Sequence, residues 1–254
     1  MRTVPGARWT WPAIAGELSR YNGAMNIAGR TAVVTGAGIG TGRAIALALA
    51  AEGADVVASD VDETGGNETV AMCDGSARFV QADLTVADDL RRLIGSTAPT
   101  ILVNNAGGGG HIPPHFPDAD PHQWGATLDL NLRAPMLATQ LALTPMRRAG
   151  GGAIVNVAST AGLGSEPYQS PEYGAAKAGL IRFTSAVGAI DGIRVNCVVP
   201  DWVATERVTA EERAATPPPI PLETLVAGVI RLIRDDALAG RALVLWRGAE
   251  PRLD

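Results

Sequence analysis

From Arg30 onward the chain alternates short β-branched apolar runs with longer helix-forming ones. TAVVT, residues 31–35, is ended by glycines, and RAIALALAAEG after it has the length and composition of a helix closed by Gly53. The same pattern predicts strands over Ala54–Asp60, Ala77–Asp83, Thr100–Asn105, Ala153–Ser159, Ile193–Val199 and Ala242–Trp246. Helices are predicted near Glu68–Cys73, over Ala87–Ile94, Trp124–Arg148 and Tyr173–Ala189, and over Leu222–Arg234 after the proline-rich PPPIP. Pro135 and Pro145 should bend or shorten the long helix, because proline removes a backbone donor and crowds the preceding turn. Strands and helices in this alternation imply an α/β fold with a doubly wound parallel sheet of about seven strands, in three α/β/α layers.

Residues 1–24 break the pattern, with Trp9, Trp11, Pro5 and Pro12 in a stretch unlike the rest. Two readings stand: an N-terminal arm with a short helix after Pro12, or a disordered extension ahead of a domain that runs from Met25 to Asp254. Neither repeats nor a linker divide residues 25–254, so one domain is expected there.

Composition narrows the class. Aromatics are only 4% of 254 residues, so the core must be closed by small aliphatic side chains between closely packed layers. The net charge of −5, with arginines scattered, leaves no footprint for nucleic acid. Cys73 and Cys197 form no CxxC pattern, and no apolar run reaches the ~18 to 20 residues of a membrane span. With no cleavable signal pattern, a soluble cytoplasmic protein without a membrane partner is expected.

TGAGIGTG, residues 35–42, lies where the first strand turns into the first helix. Its workable spacing is GxxxGxG, through Gly36, Gly40 and Gly42: a tight turn, a bare backbone for a pyrophosphate, and close helix packing at a helix N-terminus. Asp60 ends the second strand at about the ~20-residue interval of an acid that binds an adenosine ribose, and its charge repels a 2′-phosphate. Arg43, on the helix, reads as structural, so NAD(H) is favoured over NADP(H). Asp83 ends the third strand and is read as an adenine contact, with Asp83 and Thr85 as alternative caps for the next helix.

Tyr173 and Lys177 sit one helical turn apart on one face, and Lys177 is the only lysine in a chain that otherwise uses arginine. A phenol is no base at neutral pH, and a nearby ammonium favours the phenolate. A drop of ~3 pKa units would require roughly 4 kcal/mol of differential interaction.

Together, TGAGIGTG, Asp83-Leu84, NNAG (104–107), Asn131 in LDLNL, Ser159, YxxxK and IRVNCVVP resemble, in order over residues 27 to 205, the short-chain dehydrogenase/reductase family. The resemblance implies a Rossmann-type domain in which Tyr173 is the general acid/base and Lys177 holds the nicotinamide ribose and lowers the tyrosine pKa. It implies that Ser159 bonds the substrate oxygen and Asn131 holds a water passing protons to Lys177. Asn105, Ala106 and Gly107 would shape the cofactor pocket, with Asp83, Leu84 and Pro200 lining it and Thr205 at the nicotinamide amide. The implied activity is NAD-dependent interconversion of a secondary alcohol and a ketone by a homo-oligomer, a dimer or tetramer. A catalytically silent dinucleotide-binding protein is the alternative. The chain departs from the pattern at Asp201, where the family has glycine, and in its closing segment, which keeps only Ala239-Gly240 and Trp246-Arg247-Gly248.

His111, His115 and His122 share the loop HIPPHFPDADPH, where prolines disrupt helical ligand spacing. The loop reads as a pocket wall, with no metal expected. Trp202–Pro221 forms the other wall, a stiff and limited lid that ends in PPPIP.

Overall fold

A computed structural model describes residues 25–110, 112–164 and 168–254. The expectations for 1–24 and for His111 lie outside these residues. The elements in chain order are β1 (Thr31–Thr35), α1 (Gly40–Ala51), β2 (Asp55–Asp60), α2 (Glu63–Met72), β3 (Ala77–Gln81), α3 (Ala87–Thr97) and β4 (Ile101–Asn104). Then come α4 (Pro121–Leu128), a π-helical turn (Asp129–Arg133), α5 (Ala134–Arg148), β5 (Gly152–Val157), a 3₁₀ turn (Thr160–Gly162) and α6 (Pro171–Val187). The chain closes with β6 (Ala189–Ile190), β7 (Ile193–Pro200), α7 (Ala210–Arg213), α8 (Leu222–Arg234), β8 (Ala242–Leu245) and β9 (Arg252–Leu253).

Seven strands run parallel in the order β3-β2-β1-β4-β5-β7-β8. Two short antiparallel pieces, β6 on β7 and β9 on β8, add to the expected seven. Every residue of β4, β5 and β7 is buried, as strands covered on both faces must be. One face carries α1 and α8, where Ile45, Leu49, Leu225, Val229 and Ile233 close on β1, β2 and β5. On the other, α3 and α5 bring Leu90, Leu93, Ala138, Ala142 and Met146 against Val33, Leu102 and Ile154. Helix α6 packs Leu180 with Cys197 and Val199 of β7. Each buried Leu or Ile contributes about 1.5–3 kcal/mol relative to exposure.

The long helix expected over 124–148 is two helices joined by the π-helical turn. It starts earlier than its apolar pattern implies, because Asp120 and Gln123 form a capping box with Pro121 at the first helical position. Pro135 stands in the first turn of α5, where a missing N–H costs little, and only Pro145 is interior. Helix α2 begins at Glu63 rather than near Glu68, capped by Asp62 accepting from the Thr64 N–H at 3.1 Å. Its glycines mask the helical signal but serve packing: a Cβ on Gly66 would strike the Phe79 ring at 2.0 Å.

The strand order reverses between β1 and β4, so the loops after their C-terminal ends diverge and open a crevice there.

Candidate active site

The crevice begins at the glycine turn. Gly36 and Gly40 have φ of 63° and 61°, the left-handed region where a side chain is strained. A Cβ on Gly42 would lie 2.0 Å from the Gly36 carbonyl oxygen, so the first turn of α1 seats directly on the loop. Thr35 Oγ1 accepts from the N–H groups of Asn105 and Ala106, both at 3.0 Å. Asn105 Nδ2 donates back to Thr35 O at 2.9 Å and Gly36 O at 3.1 Å. The NNAG segment therefore braces the turn, and Asn105, Ala106 and Gly107 line the crevice beside it.

Asp60 sits at the end of β2 with Oδ2 accepting from the Gly38 N–H at 2.8 Å and Oδ1 from the Asp62 N–H at 3.1 Å. Arg43 is engaged by other partners. Its guanidinium bonds Gly38 O, Gly65 O and the Glu68 carboxylate, and its Nε donates to Thr69 Oγ1. Asp83 caps locally, accepting from Thr85 N–H at 2.9 Å and Thr85 Oγ1 at 2.7 Å, while still lining the crevice with Leu84.

At the other end, β5 delivers Ser159 into the 3₁₀ turn, and α6 carries Tyr173 and Lys177. A Cβ on Gly162 would lie 2.5 Å from the Ala178 nitrogen, so that turn packs bare backbone on α6 and fixes Ser159 relative to Tyr173. The Ser159 hydroxyl accepts from the Ala161 N–H at 3.2 Å and stands close enough to the Tyr173 phenol to favour its ionised form. Lys177 Nζ donates to Val157 O at 2.9 Å and stands 5.6 Å from the Tyr173 ring centroid. Asn131, fully buried in the π-helical turn, donates to Gly108 O and Thr127 O, both at 2.9 Å, and accepts from the Gly108 N–H at 3.0 Å. A Cβ on Gly107 would meet Asn131 Oδ1 at 2.7 Å and Lys177 Nζ at 3.1 Å, so both side chains converge on that bare residue.

Burial governs the ionisation of this pair. Desolvation pushes the Tyr173 phenol up to about 12, against a lowering hydrogen bond from Ser159. Desolvation also pulls the Lys177 ammonium down to about 8. The low dielectric that would strengthen the attraction between the two groups also penalises both charged forms. Tyr173 rests as a proton donor.

Around the substrate end, the loop after NNAG folds onto α6. His115 Nδ1 lies 2.8 Å from Glu172 Oε1, which also accepts from Ser170 Oγ at 2.9 Å. Burial opposes ionisation of Glu172, but bonds from its own N–H, His115, Ser170 and the Phe116 N–H hold its carboxyl below the usual range. Gly110 rests on the Tyr173 ring, where a Cβ would come within 2.9 Å, and Gln169 donates to Gly110 O at 3.1 Å. Tyr168 stacks on Tyr173 at 6.3 Å between centroids. Among the described residues no cluster of His, Cys, Asp and Glu is arranged to hold a metal, and no helix is long and apolar enough to cross a membrane.

Pro200 ends β7 in the crevice wall, and the unexpected Asp201 next to it is ion-paired with Arg247 at 2.9 Å. Arg247 in turn lies over the Trp202 ring. Thr205 sits against Gly40 at the glycine turn, 3.6 Å from where its Cβ would be. Apart from Asn131, which supports the crevice from beneath, every expected site residue lines one cavity of about 650 Å³. Sequence reading passes over Gly38, Glu172, Arg247 and Glu206. Only Gly38 carries a signal of its own, as the middle glycine of TGAGIG.

The sequence profile of the family described as short chain dehydrogenase matches residues 30–216. The chain is 36% identical over 207 residues to an uncharacterized oxidoreductase of Thermotoga maritima, covering 76% of this chain and 80% of that one. It is 36% identical over 227 residues to a 3-oxoacyl-[acyl-carrier-protein] reductase of Synechocystis, covering 83% and 91%. A Beutenbergia cavernae structure with NADP bound at low occupancy superposes with a TM-score of 0.77 at 31% identity, over 87% of this chain and 97% of the other.

Proposed function

This chain belongs to the short-chain dehydrogenase/reductase family, and from that premise we propose that it is an NAD(H)-dependent oxidoreductase interconverting a secondary alcohol and a ketone. The observation that carries this reading is the placement of Ser159, Tyr173 and Lys177 at one end of a crevice whose other end is a glycine turn beside Asp60.

The residues fit a dinucleotide. The turn keeps bare backbone where a Cβ on Gly36 would lie 2.8 Å from Ala106 Cα, and the first residues of helix α1, Gly40 to Gly42, line the crevice. Gly36, Gly40 and Gly42 would hold the pyrophosphate, Asp60 the adenosine ribose, Asp83 and Leu84 the adenine side, and Lys177 the nicotinamide ribose. A bound nicotinamide supplies the hydride acceptor or donor. Tyr173 delivers or removes the proton on the substrate oxygen, and the Ser159 hydroxyl donates to the same oxygen as charge develops there. Asn131 fixes the Gly107–Gly108 backbone opposite Lys177.

Preference for NAD(H) rests on Asp60, whose carboxylate repels a 2′-phosphate, and on Arg43, whose Nε and Nη2 are engaged by Thr69, Gly38, Gly65 and Glu68. The relative with bound NADP makes the comparison of the two cofactors a direct check. Asp201 is the ground for a silent dinucleotide binder, and its pairing with Arg247 removes the bare charge that would disturb the cofactor. We place a homo-oligomer contact on the outer face of the π-helical turn, α5 and α6, where Leu132, Met136, Leu137, Leu143 and Phe183 line an apolar groove.

A screen of secondary alcohols with NAD⁺ and of ketones with NADH, read by nicotinamide absorbance, tests the activity. Turnover that survives Tyr173→Phe at the wild-type rate would sink the assignment.

A further inference from the structure

The glycine turn is shaped to receive an anion, and a carboxylate of the chain itself stands there. Glu206 Oε1 accepts from the Gly40 N–H at 2.8 Å. Gly40 is the first residue of the twelve-residue helix α1, so this N–H belongs to the first turn, whose donors have no partner within the helix and face its positive end. Thr205 backs the contact, since a Cβ on Gly40 would lie 3.6 Å from Thr205 Cγ2 and 3.9 Å from Glu206 Oε2.

The segment that delivers Glu206 is braced. Ala204 N donates to Ile220 O and Ile220 N to Trp202 O, both at 2.8 Å, and Arg213 donates to Thr205 O at 2.6 Å. Val208 is buried beneath it. The next residue, Arg207, lines the crevice. Glu206 itself is solvent-exposed and contributes nothing to the core.

We propose that Glu206 is an internal competitor for the pyrophosphate of the dinucleotide, a carboxylate that must leave the Gly40 N–H before a phosphate oxygen can take it. The proposal rests on the dinucleotide reading above. One N–H cannot serve a carboxylate and a phosphate together, and the two anions repel at that separation. The measured affinity is then the intrinsic affinity multiplied by the fraction of molecules in which Glu206 has withdrawn. Because Glu206 belongs to the wall that covers the substrate, its withdrawal couples arrival of the cofactor to rearrangement of that wall.

Calorimetric titration with adenosine, ADP and NADH separates the phosphate end from the base end of the ligand. Glu206→Ala is expected to tighten ADP and NADH by about five- to tenfold, the gain if Glu206 occupies the turn about 80–90% of the time. Adenosine, which has no pyrophosphate, should change by less than about twofold, within the spread of independent sites. Glu211→Ala, which removes an exposed acid from the same segment, controls for net charge and should also leave ADP within about twofold. Unchanged or weaker ADP binding to Glu206→Ala overturns the proposal, as does an equal gain with adenosine or with Glu211→Ala. If ADP and NADH, and NADPH titrated beside them, fail to bind wild type and Glu206→Ala alike, the dinucleotide reading falls and the competitor with it.

Discussion

His115 and Glu172 meet at 2.8 Å one residue before Tyr173, and through them the loop after β4 is fastened to the helix that carries the tyrosine. The pair is shielded, with side-chain exposures of 14% and 6%, so solvent screens it poorly. Gly110 of the same loop lies on the Tyr173 ring, so the fastening also limits where that ring can sit. His115→Ala leaves a buried carboxylate short of one partner, which costs about 1–3 kcal/mol. Thermal melts should show that loss. Steady-state kinetics should show a rise in KM together with a fall in kcat, because the substrate wall and the proton donor loosen at once. A variant with unaltered kinetics would reduce the pair to a structural clasp.

Lys177 opposes the stability of the fold. A folded-state pKa of about 8 against an ordinary 10.5 means that burying the ammonium costs on the order of 3 kcal/mol at neutral pH. The unfolded chain binds more protons between these two values, so this group makes stability rise as pH climbs from about 8 to about 10.5, and the full cost is felt below about 8. Lys177→Met is expected to raise Tm by a few degrees at pH 7, after allowing about 1 kcal/mol for the lost bond to Val157 O. The same variant should lose turnover. A Tm that falls, or a melting profile with the wild-type pH slope, would contradict this account.

The directions of reaction should differ in pH dependence. With its pKa pushed up to about 12, Tyr173 is a competent proton donor throughout the neutral range and a base only in alkali. Ketone reduction should be nearly flat from pH 6 to about pH 10, where the phenol is still protonated, whereas alcohol oxidation should climb with pH. Measured pH profiles of kcat/KM in the two directions check this. An oxidation rate already at its plateau at pH 7 would show that the pair ionises far more readily than its burial implies.

What the sequence makes legible is local. The seven parallel strands are short apolar runs, and most crevice residues lie at or just past the C-terminal ends of β1, β2, β3, β4, β5 and β7, so the sheet and the ends of the crevice can be read from spacing. Helix α2 is misread in extent because Gly65 and Gly66 suppress helix propensity, while the reason for Gly66 lies in Phe79 on the neighbouring strand. The contacts that sequence cannot reveal are tertiary. Glu206 reaches Gly40 across 166 residues, and His115 reaches Glu172 across 57. The i, i+4 spacing of Tyr173 and Lys177 likewise reports nearness of two groups but not the burial that both must bear.

Assembly offers a last test. The groove on the π-helical turn, α5 and α6 is lined by the apolar residues Leu132, Leu137, Leu143 and Phe183, and Met136 among them stands 40% exposed. Arg91, Arg133 and Asp129 supply charges of both signs along its margin, as a surface that pairs with its own copy about a two-fold axis requires. A second copy would cover this groove and set its margin charges against their opposites. Met136→Glu should therefore convert the oligomer to monomers in light scattering after gel filtration, since a carboxylate pressed into an apolar contact remains unpaired. Its far-ultraviolet circular dichroism should be unchanged, because the side chain points away from the core. Persistence of the oligomer in this variant and in Phe183→Glu would move the contact elsewhere on the chain.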